Sequence, residues 1–413
     1  MPERKPPLAV DRAIEIVLGE ARPLGAETVP LNEALGRVLG DPVRSADDVP
    51  PFDNSAMDGF AVRAADTAGA GSETPIELRL VGESRAGAPA DRPVGPGEAM
   101  RISTGAMLPG GADAVVRMEE ADVTGNAVAV RIAVDPGHDA RRAGEDVRAG
   151  DEVVAAGTRL GPAEVGVLAS VGVDEVRAVR RPAAIVLTTG DELVPPGRAL
   201  PPGGIRNTNV YTVPAQARIA GCRVSWTSTV PDDPGATEDA VSLGLAADLL
   251  VICGGVSVGT HDHVKQVLAK LGVVERFWGV ALRPGRPTWF GVAGGDGHRT
   301  LVFGLPGNPV SAMITFHLLA RPAIEAMLGR AAKPRERIRA TLAERYEKPP
   351  GRLHAVRCTL ELREDGWHAR PTGPQGSHVL TSMLGAEALA MIEAERGDVE
   401  AGETVEVERL SYW

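Results

Sequence analysis

The stretch RRPAAIVLTTGDEL, Arg180 to Leu193, sets the architecture. Its middle, AAIVLTT, is apolar almost without a break. A strand with one wet face would alternate; this pattern belongs to a parallel sheet covered on both faces. Gly190, Asp191 and Glu192 then break the run at its carboxyl end. The unit recurs downstream. NVYTVPAQARIAG reads as a helix, with Pro214 near its start or at a kink. RVSWTSTV reads as a strand, GATEDAVSLGLA as a helix and ADLLVICGG as a strand. HDHVKQVLAKLG puts Val264, Val267, Leu268 and Leu271 on one helical face. TLVFGLPG is a further strand, leading into NPVSAMITFHLLA, where Asn308 suits an N-cap and Pro309 the first helical turn. Strands and helices alternating at this spacing predict a doubly wound α/β domain over residues 180–330.

The flanks have another texture. Residues 8–20 carry Leu8, Ile14, Val17 and Leu18 at helical spacing, and VPLNEALGRVLG suggests a second short helix capped by Asn32. From 47 to 146, short β-like runs such as IELRLVGES, GEAMRIST, DAVVRME and NAVAVRI alternate with Gly and Pro turns. Residues 1–46 and 147–179 are expected to form one domain in two segments around this mostly β insert, with Pro162 opening a helix. Residues 331–413 alternate apolar and polar positions, as expected of a small terminal β-barrel-like domain. The fold class is therefore multidomain, α/β plus β.

At 413 residues the chain exceeds one core, and its 43% hydrophobic content excludes disorder. A formal net charge of -11 argues against a general nucleic-acid binder, and there is no polybasic cluster for a membrane surface. Cys222, Cys253 and Cys358 are far apart and form no CxxC pair, which argues for a reducing compartment. The amino terminus has charges throughout and no signal-peptide core, and no apolar run is long enough for a bilayer. A soluble, cytoplasmic protein is expected.

Ligands of such sheets bind outside the carboxyl ends of the strands. Three ends are readable: Thr188, Thr189, Gly190, Asp191 and Glu192; Gly254, Gly255, Ser257, Gly259 and Asp262; Pro306, Gly307, Asn308 and Ser311. A fourth turn, VPDDPG, adds Asp232 and Asp233. The glycines permit close backbone approach to a ligand, and free N–H groups at the following helix start suit phosphate. Glu192, Asp232 or Asp233, and Asp262 suit a hard cation such as Mg²⁺, or each acid merely caps a helix or turn. Arg283 and Arg286, in RPGRP, suit an oxyanion or are solvated charges. His261 and His263 begin a helix where their side chains diverge, which disfavours zinc. In PFDNSAMDGFAV, Phe52 and Phe60 bracket a polar loop in an aromatic-poor chain. That loop is either a surface turn built on Asp58-Gly59 or a ligand-facing loop fixed at both ends in apolar surroundings.

With these residues together the chain strongly resembles the molybdopterin molybdenumtransferase family, whose relatives include the E domain of gephyrin. The carriers are PPFDNSAMDGFAVRAAD, RISTGAMLPGGADAVVRMEE, RRAGEDV, TTGDEL, IRNTN, GGVSVGTHDHVK, RPGRP, LPGNPVSA and TGPQGSH, in order along nearly the whole chain. The resemblance implies a four-part subunit and an elongated homodimer with sites shared between subunits. It also implies a Mg²⁺-dependent reaction of adenylylated molybdopterin with molybdate, giving molybdenum cofactor and AMP. Asp58, Thr104, Asp146, Glu192 and Asp262 would be catalytic. Glu192, one of Asp232 and Asp233, and Asp262 would supply the metal ligands. Asn209, Gly254, Gly255, Ser257, Arg283, Arg286, Pro306, Gly307, Asn308 and Ser377 would bind substrate. Two departures stand out: Arg283 and Arg286 replace the lysines common in this loop, and Asn207 stands where an Asp is common. The rival class is a molybdopterin-binding scaffold without catalysis, to which the set of acids would be superfluous. An adenylyl-transfer enzyme sharing the α/β domain is a weaker reading, because it would lack the flanking β parts.

Overall fold

The computed structural model describes residues 6–256, 263–294, 297–330 and 337–410. The chain forms two compact units: residues 28–35 with 41–176, and residues 1–27, 36–40 and 177–413. In the second of these the helix α1, Val10–Glu20, buries Val10, Ala13 and Val17; of the four residues expected on its apolar face only Val17 is fully buried, with Leu8, Ile14 and Leu18 half-buried. The second short helix expected after it does not form. Residues Ala26–Pro30 are a strand, and Leu31–Glu33 make a single 3-10 turn whose N-cap is Pro30, not Asn32.

The unit of residues 41–176 is built on a six-stranded sheet. Its strands are β1 (Gly59–Val62), β2 (Ile76–Ser84), β3 (Glu98–Ile102), β4 (Ala114–Arg117), β5 (Ala121–Thr124) and β6 (Ala127–Val130), in the order β4-β1-β3-β2-β6-β5. Residue alternation sends Phe60, Val62, Leu78 and Val116 into one core and Ala61, Met100 and Val115 into another. The helix α2, Pro162–Ser170, opens on Pro162 as expected. Gly59 is glycine for space: a Cβ there would lie 2.1 Å from the carbonyl oxygen of Val116. Asp58-Gly59 is therefore a strand entry, not a turn.

The α/β domain follows. Its strands are β7 (Ala183–Thr189), β8 (Arg223–Val230), β9 (Leu249–Cys253), β10 (Val274–Trp278), β11 (Trp289–Gly294) and β12 (Arg299–Leu305), ordered β8-β7-β9-β12-β11-β10. The first four in that order are mutually parallel. β11 is antiparallel to both neighbours, a pair the sequence reading did not anticipate. Its reason is non-local: Phe290 stands 4.8 Å from Phe303 and 5.6 Å from Phe277, ring centre to ring centre. Val186, Val251 and Phe303 face one core, and Leu187, Ile252 and Val302 the other. Each such fully buried side chain contributes roughly 1.5–3 kcal/mol. Its helices include α3 (Asn209–Ala220), α4 (Pro234–Gly244), α5 (Val264–Lys270) and α6 (Pro309–Thr315). Pro214 lies inside α3, neither at its start nor at a break, and is buried.

The terminal part closes into a barrel of β13 (Arg337–Leu342), β14 (Leu353–Arg363), β15 (Gly366–Pro371), β16 (Ala388–Ile392) and β17 (Thr404–Arg409), because β14 pairs with both β15 and β16. Among the described residues no helix is long and apolar enough to cross a membrane.

At the amino end of the sheet Arg180 donates through both Nη atoms to Asp248, at 2.6 Å each. Burial pushes the Asp248 carboxyl up, but the bonds from Arg180 and the Ala183 N–H outweigh it and leave the pKa below its ordinary value. Arg180→Ala strands a carboxylate whose side chain is 4% exposed. The expected cost is about 2 kcal/mol at neutral pH, below the usual range for a broken buried pair because Arg180 itself is partly wet. The sign in acid follows from linkage. The native protein loses this stabilisation as pH falls through the depressed pKa, while burial raises the pKa in the variant and protonation relieves it. Denaturant unfolding from pH 7 to pH 3 should show the gap closing; a constant gap would exclude this carboxylate as its source.

Candidate active site

Two clusters collect the sequence-predicted residues, one in each unit. In the first, register does the work. Gly59 pairs with Ile102, so the residues just outside that pair, Asp58 and the Ser103–Thr104 turn, meet at one sheet end. Thr104 donates its N–H (2.7 Å) and its Oγ1 (3.0 Å) to Asp58 Oδ1. These bonds, the backbone one first, hold the exposed carboxyl below its usual range. Asp53 is held likewise by the Ala143 N–H (2.8 Å) and Arg142 Nη1 (2.6 Å). Arg141–Ala140 pairs with Asn54–Ser55, and the N–H groups of Gly144 and Asp146 bond to Pro50 and Val49. The motifs PFDNSAMDGF, STGA and RRAGED therefore form one surface, with Asp58, Thr104 and Asp146 exposed. One expectation fails. Phe60 is fully buried, but Phe52 is 36% exposed, so the loop has one apolar anchor and one half-open aromatic.

The second cluster lies at the carboxyl ends of β7, β9 and β12. The chain leaves β7 for β8 on one side and returns to β9 on the other, so β7 and β9 flank the topological switch point. Gly254 and Gly255 have φ of +95° and +62°. A Cβ on Gly254 would lie 2.9 Å from Thr189 Oγ1, and one on Gly255 2.5 Å from Val264 Cγ2. Gly307 closes the group: its Cβ would reach the Gly254 Cα at 3.9 Å. Asn209 Nδ2 donates to the Gly307 carbonyl at 2.7 Å, tying α3 to the end of β12. Thr189 Oγ1 and Asn209 Oδ1 are buried and have no hydrogen-bond partner among the described residues. Pro306, next to Gly307 in sequence, is buried. Asn207, the departure noted above, is buried and serves the fold: it donates to Thr188 Oγ1 (2.7 Å) and Thr229 Oγ1 (2.8 Å) and accepts the Val210 N–H (3.2 Å).

The acids sort themselves. Asp233 is an N-cap, accepting the Ala236 N–H at 2.8 Å ahead of Pro234. Asp232 is exposed, and its N–H donates to Asp191 Oδ1 at 3.1 Å, which joins the ends of β7 and β8. Glu192 folds back over Gly190, where a built Cβ would stand 2.6 Å from its carboxylate. Ser257, Gly259, His261 and Asp262 lie outside the described residues. Among the described residues no three His, Cys, Asp or Glu side chains are disposed to hold a metal.

Asn308 occupies the N-cap position of α6 but does not cap it. Its Nδ2 donates instead to Ser377 Oγ at 3.0 Å, bringing the TGPQGSH loop to the end of β12. That loop is wrapped around Arg357, which is 0% exposed and which the sequence reading missed. The guanidinium donates to the carbonyls of Pro374, Gln375 and Gly376 at 3.2–3.3 Å and to Ser382 Oγ at 3.0 Å. Arg283 and Arg286 are exposed and have no ion-pair partner among the described residues. Leu282–Arg283 pairs with Leu353–His354 of β14. Burial and then the Arg283 charge push His354 down to about 4. Among the described residues no hydrogen bond links either arginine to the glycine-lined strand ends.

A doubly wound domain with a glycine-lined switch point, joined to a β unit and a closed barrel, defines a multidomain ligand-binding α/β protein. Known proteins match it along almost its full length. Residues 8–172 match the MoeA N-terminal region (domain I and II), residues 185–326 a probable molybdopterin binding domain, and residues 339–410 the MoeA C-terminal region (domain IV). A molybdopterin molybdenumtransferase of Haemophilus influenzae is 37% identical, over 94% of this chain and 95% of that protein. One of Bacillus subtilis is 34% identical over 98% and 95%. The crystal structure of a molybdopterin biosynthesis moea protein from Pyrococcus horikosii superposes with a TM-score of 0.83 at 33% identity, covering 98% of this chain and all of that one. The chain belongs to the molybdopterin molybdenumtransferase family of enzymes, and its role is in molybdenum-cofactor biosynthesis.

Proposed function

We propose that the protein transfers molybdenum from molybdate to adenylylated molybdopterin, releasing AMP, with Mg²⁺ required. One observation carries most of the reading: three strand ends converge on a buried Thr189 hydroxyl and Asn209 carbonyl oxygen that no group among the described residues satisfies. Buried polar groups left open in a native fold call for a partner. A ligand with both phosphate oxygens and pterin N–H groups supplies an acceptor for the first and a donor for the second. Gly254 and Gly255 let the end of β9 lie close against Thr189 and Val264, and Gly307 puts no side chain over that end.

The chain's groups divide the remaining work by charge. Asp58, ionised at neutral pH, is acceptor-only and suits a substrate N–H or O–H rather than an oxyanion. Arg283 and Arg286 offer the positive charge that molybdate needs, as planar forks in place of point donors. Asn308 and Ser377 frame the loop that Arg357 supports. Magnesium fits the acidic corner, because it takes one or two carboxylates and fills its shell with water and substrate phosphate oxygens. Glu192 and Asp232 would hold it, with Asp262 from the segment outside the described residues. When bound it neutralises phosphate charge and polarises phosphorus. The dithiolene sulfurs belong to the substrate, so no protein thiol is needed. Cys222, Cys253 and Cys358 are buried, with thiols pushed up to about 12. We also propose a homodimer in which each site draws Asp58 from one subunit and the sheet ends from its partner.

The test is turnover. The purified protein, given adenylylated molybdopterin, should release AMP only when molybdate and Mg²⁺ are both added. Tight binding of the pterin with no molybdate-dependent AMP would overturn the reading in favour of a carrier or scaffold role.

A further inference from the structure

Asp139 has a φ of +48°, the one non-glycine residue in the left-handed region among the described residues. That conformation crowds the Cβ, and Asp is among the few residues that tolerate it. Non-glycine residues held there gather at functional sites, where the surroundings fix them. The turn aims two successive carbonyls at different neighbours. The His138 carbonyl accepts the Val115 N–H of β4 at 2.9 Å, and the Asp139 carbonyl accepts the Ala56 N–H at 2.8 Å, two residues before Asp58. The Asp139 carboxylate takes Arg117 in a fork, Nε to Oδ2 at 2.7 Å and Nη2 to Oδ1 at 3.2 Å. Arg117 in turn pairs across the strands with Gly59. Its neighbour Met118 donates its N–H to the Asp58 carbonyl at 3.1 Å. The segment Ala56–Asp58 is thus gripped at both ends by backbone on either side of one ion pair.

We infer that Asp139 and Arg117 are positioning residues for Asp58, holding the backbone from which its carboxylate is aimed. The inference rests on the proposed role of Asp58 in turnover. Thr104 is the only residue bonded to the Asp58 carboxylate among the described residues, so its direction depends on the peptide units beneath it. The pair is built to stay charged. The Arg117 bond first, and its charge after burial, hold the Asp139 carboxyl below its ordinary range, with His138 Nε2 3.5 Å away. The carboxylate is 14% exposed, which shields the fork from competing water.

Two readouts test this, one of them independent of chemistry. In Asp139→Ala the backbone must leave the left-handed region or strain it. Amide hydrogen exchange in the peptide spanning Ala56 should then quicken at least about tenfold. The kcat for AMP release should fall by about tenfold or more, with KM for molybdate within about twofold, since misplacement harms the reacting geometry more than binding. Asp139→Asn tolerates the same backbone and still accepts from Arg117, so it should restore most of both. If Asp139→Ala does not fold, Arg117→Lys, which keeps the charge but loses the fork, should quicken the same exchange. Native exchange at Ala56 overturns the inference. So does fast exchange with native kcat while Asp58→Ala is inactive, because the grip would then be irrelevant to Asp58. If the native protein releases no AMP at all, the functional reading fails, and the exchange rate at Ala56 alone decides whether the grip exists.

Discussion

Asp58→Ala is expected to lower molybdate-dependent AMP release by about a hundredfold or more, the usual cost of removing one well-aimed polar group from a reacting site. The unfolding temperature should move by less than about two degrees. The two expectations come from the same geometry. The carboxylate is exposed, and its bonds go to the N–H and hydroxyl of an exposed Thr104, which water can satisfy once the acid is gone. Nothing buried is orphaned, so stability has little reason to change. The backbone grip at Ala56 and Met118 involves no side-chain atom of Asp58. The measurement pairs initial AMP release with a thermal melt on one preparation. Activity within twofold of native would mean that Asp58 is a solvated surface acid, and that the site lies wholly at the strand ends of the α/β domain.

Much of this was legible, for reasons that differ from element to element. AAIVLTT and LLVIC announce themselves because a strand buried on both faces has no polar period to confuse with a helix. Asp233 could also have been settled in advance: an Asp directly before a proline at the first helical position is an N-cap by a local rule. The same rule misleads at Asn308, because Ser377, far along the chain, competes for its amide. β10 and β11 were missed because their reason is a row of aromatic rings from three strands, which no single stretch of sequence contains. Arg357 and Asp139 left no local trace. Each is defined by what it holds, backbone carbonyls at residues 374–376 in one case and the Ala56 amide in the other. A window of sequence contains only one side of such a contact. Phe52 shows the opposite error, a large apolar residue credited with burial that the fold does not give it.

Mixing two inactive variants should restore activity, and this carries the larger structural consequence. Asp58 belongs to the unit of residues 41–176, and Glu192 to the unit that includes residues 177–413. Glu192→Gln removes the carboxylate charge while keeping the side chain's shape, and at an exposed position it should leave folding intact. In the proposed homodimer each site takes Asp58 from one subunit and Glu192 from its partner. A dimer of one Asp58→Ala chain and one Glu192→Gln chain then carries one site with both lesions and one site with neither. Refolding equal amounts of the two variants together gives mixed dimers as about half of the population. Recovery should therefore reach about a quarter of native AMP release, from two starting materials that each give almost none. Differently tagged chains, purified through both tags in turn, should raise that to about half, since every dimer then keeps one intact site. If Asp58 and Glu192 serve one site within a single chain, every site in a mixed dimer retains one lesion. Tag-verified mixed dimers with no recovery would thus rule out the shared site while leaving the chemistry assigned to each residue standing.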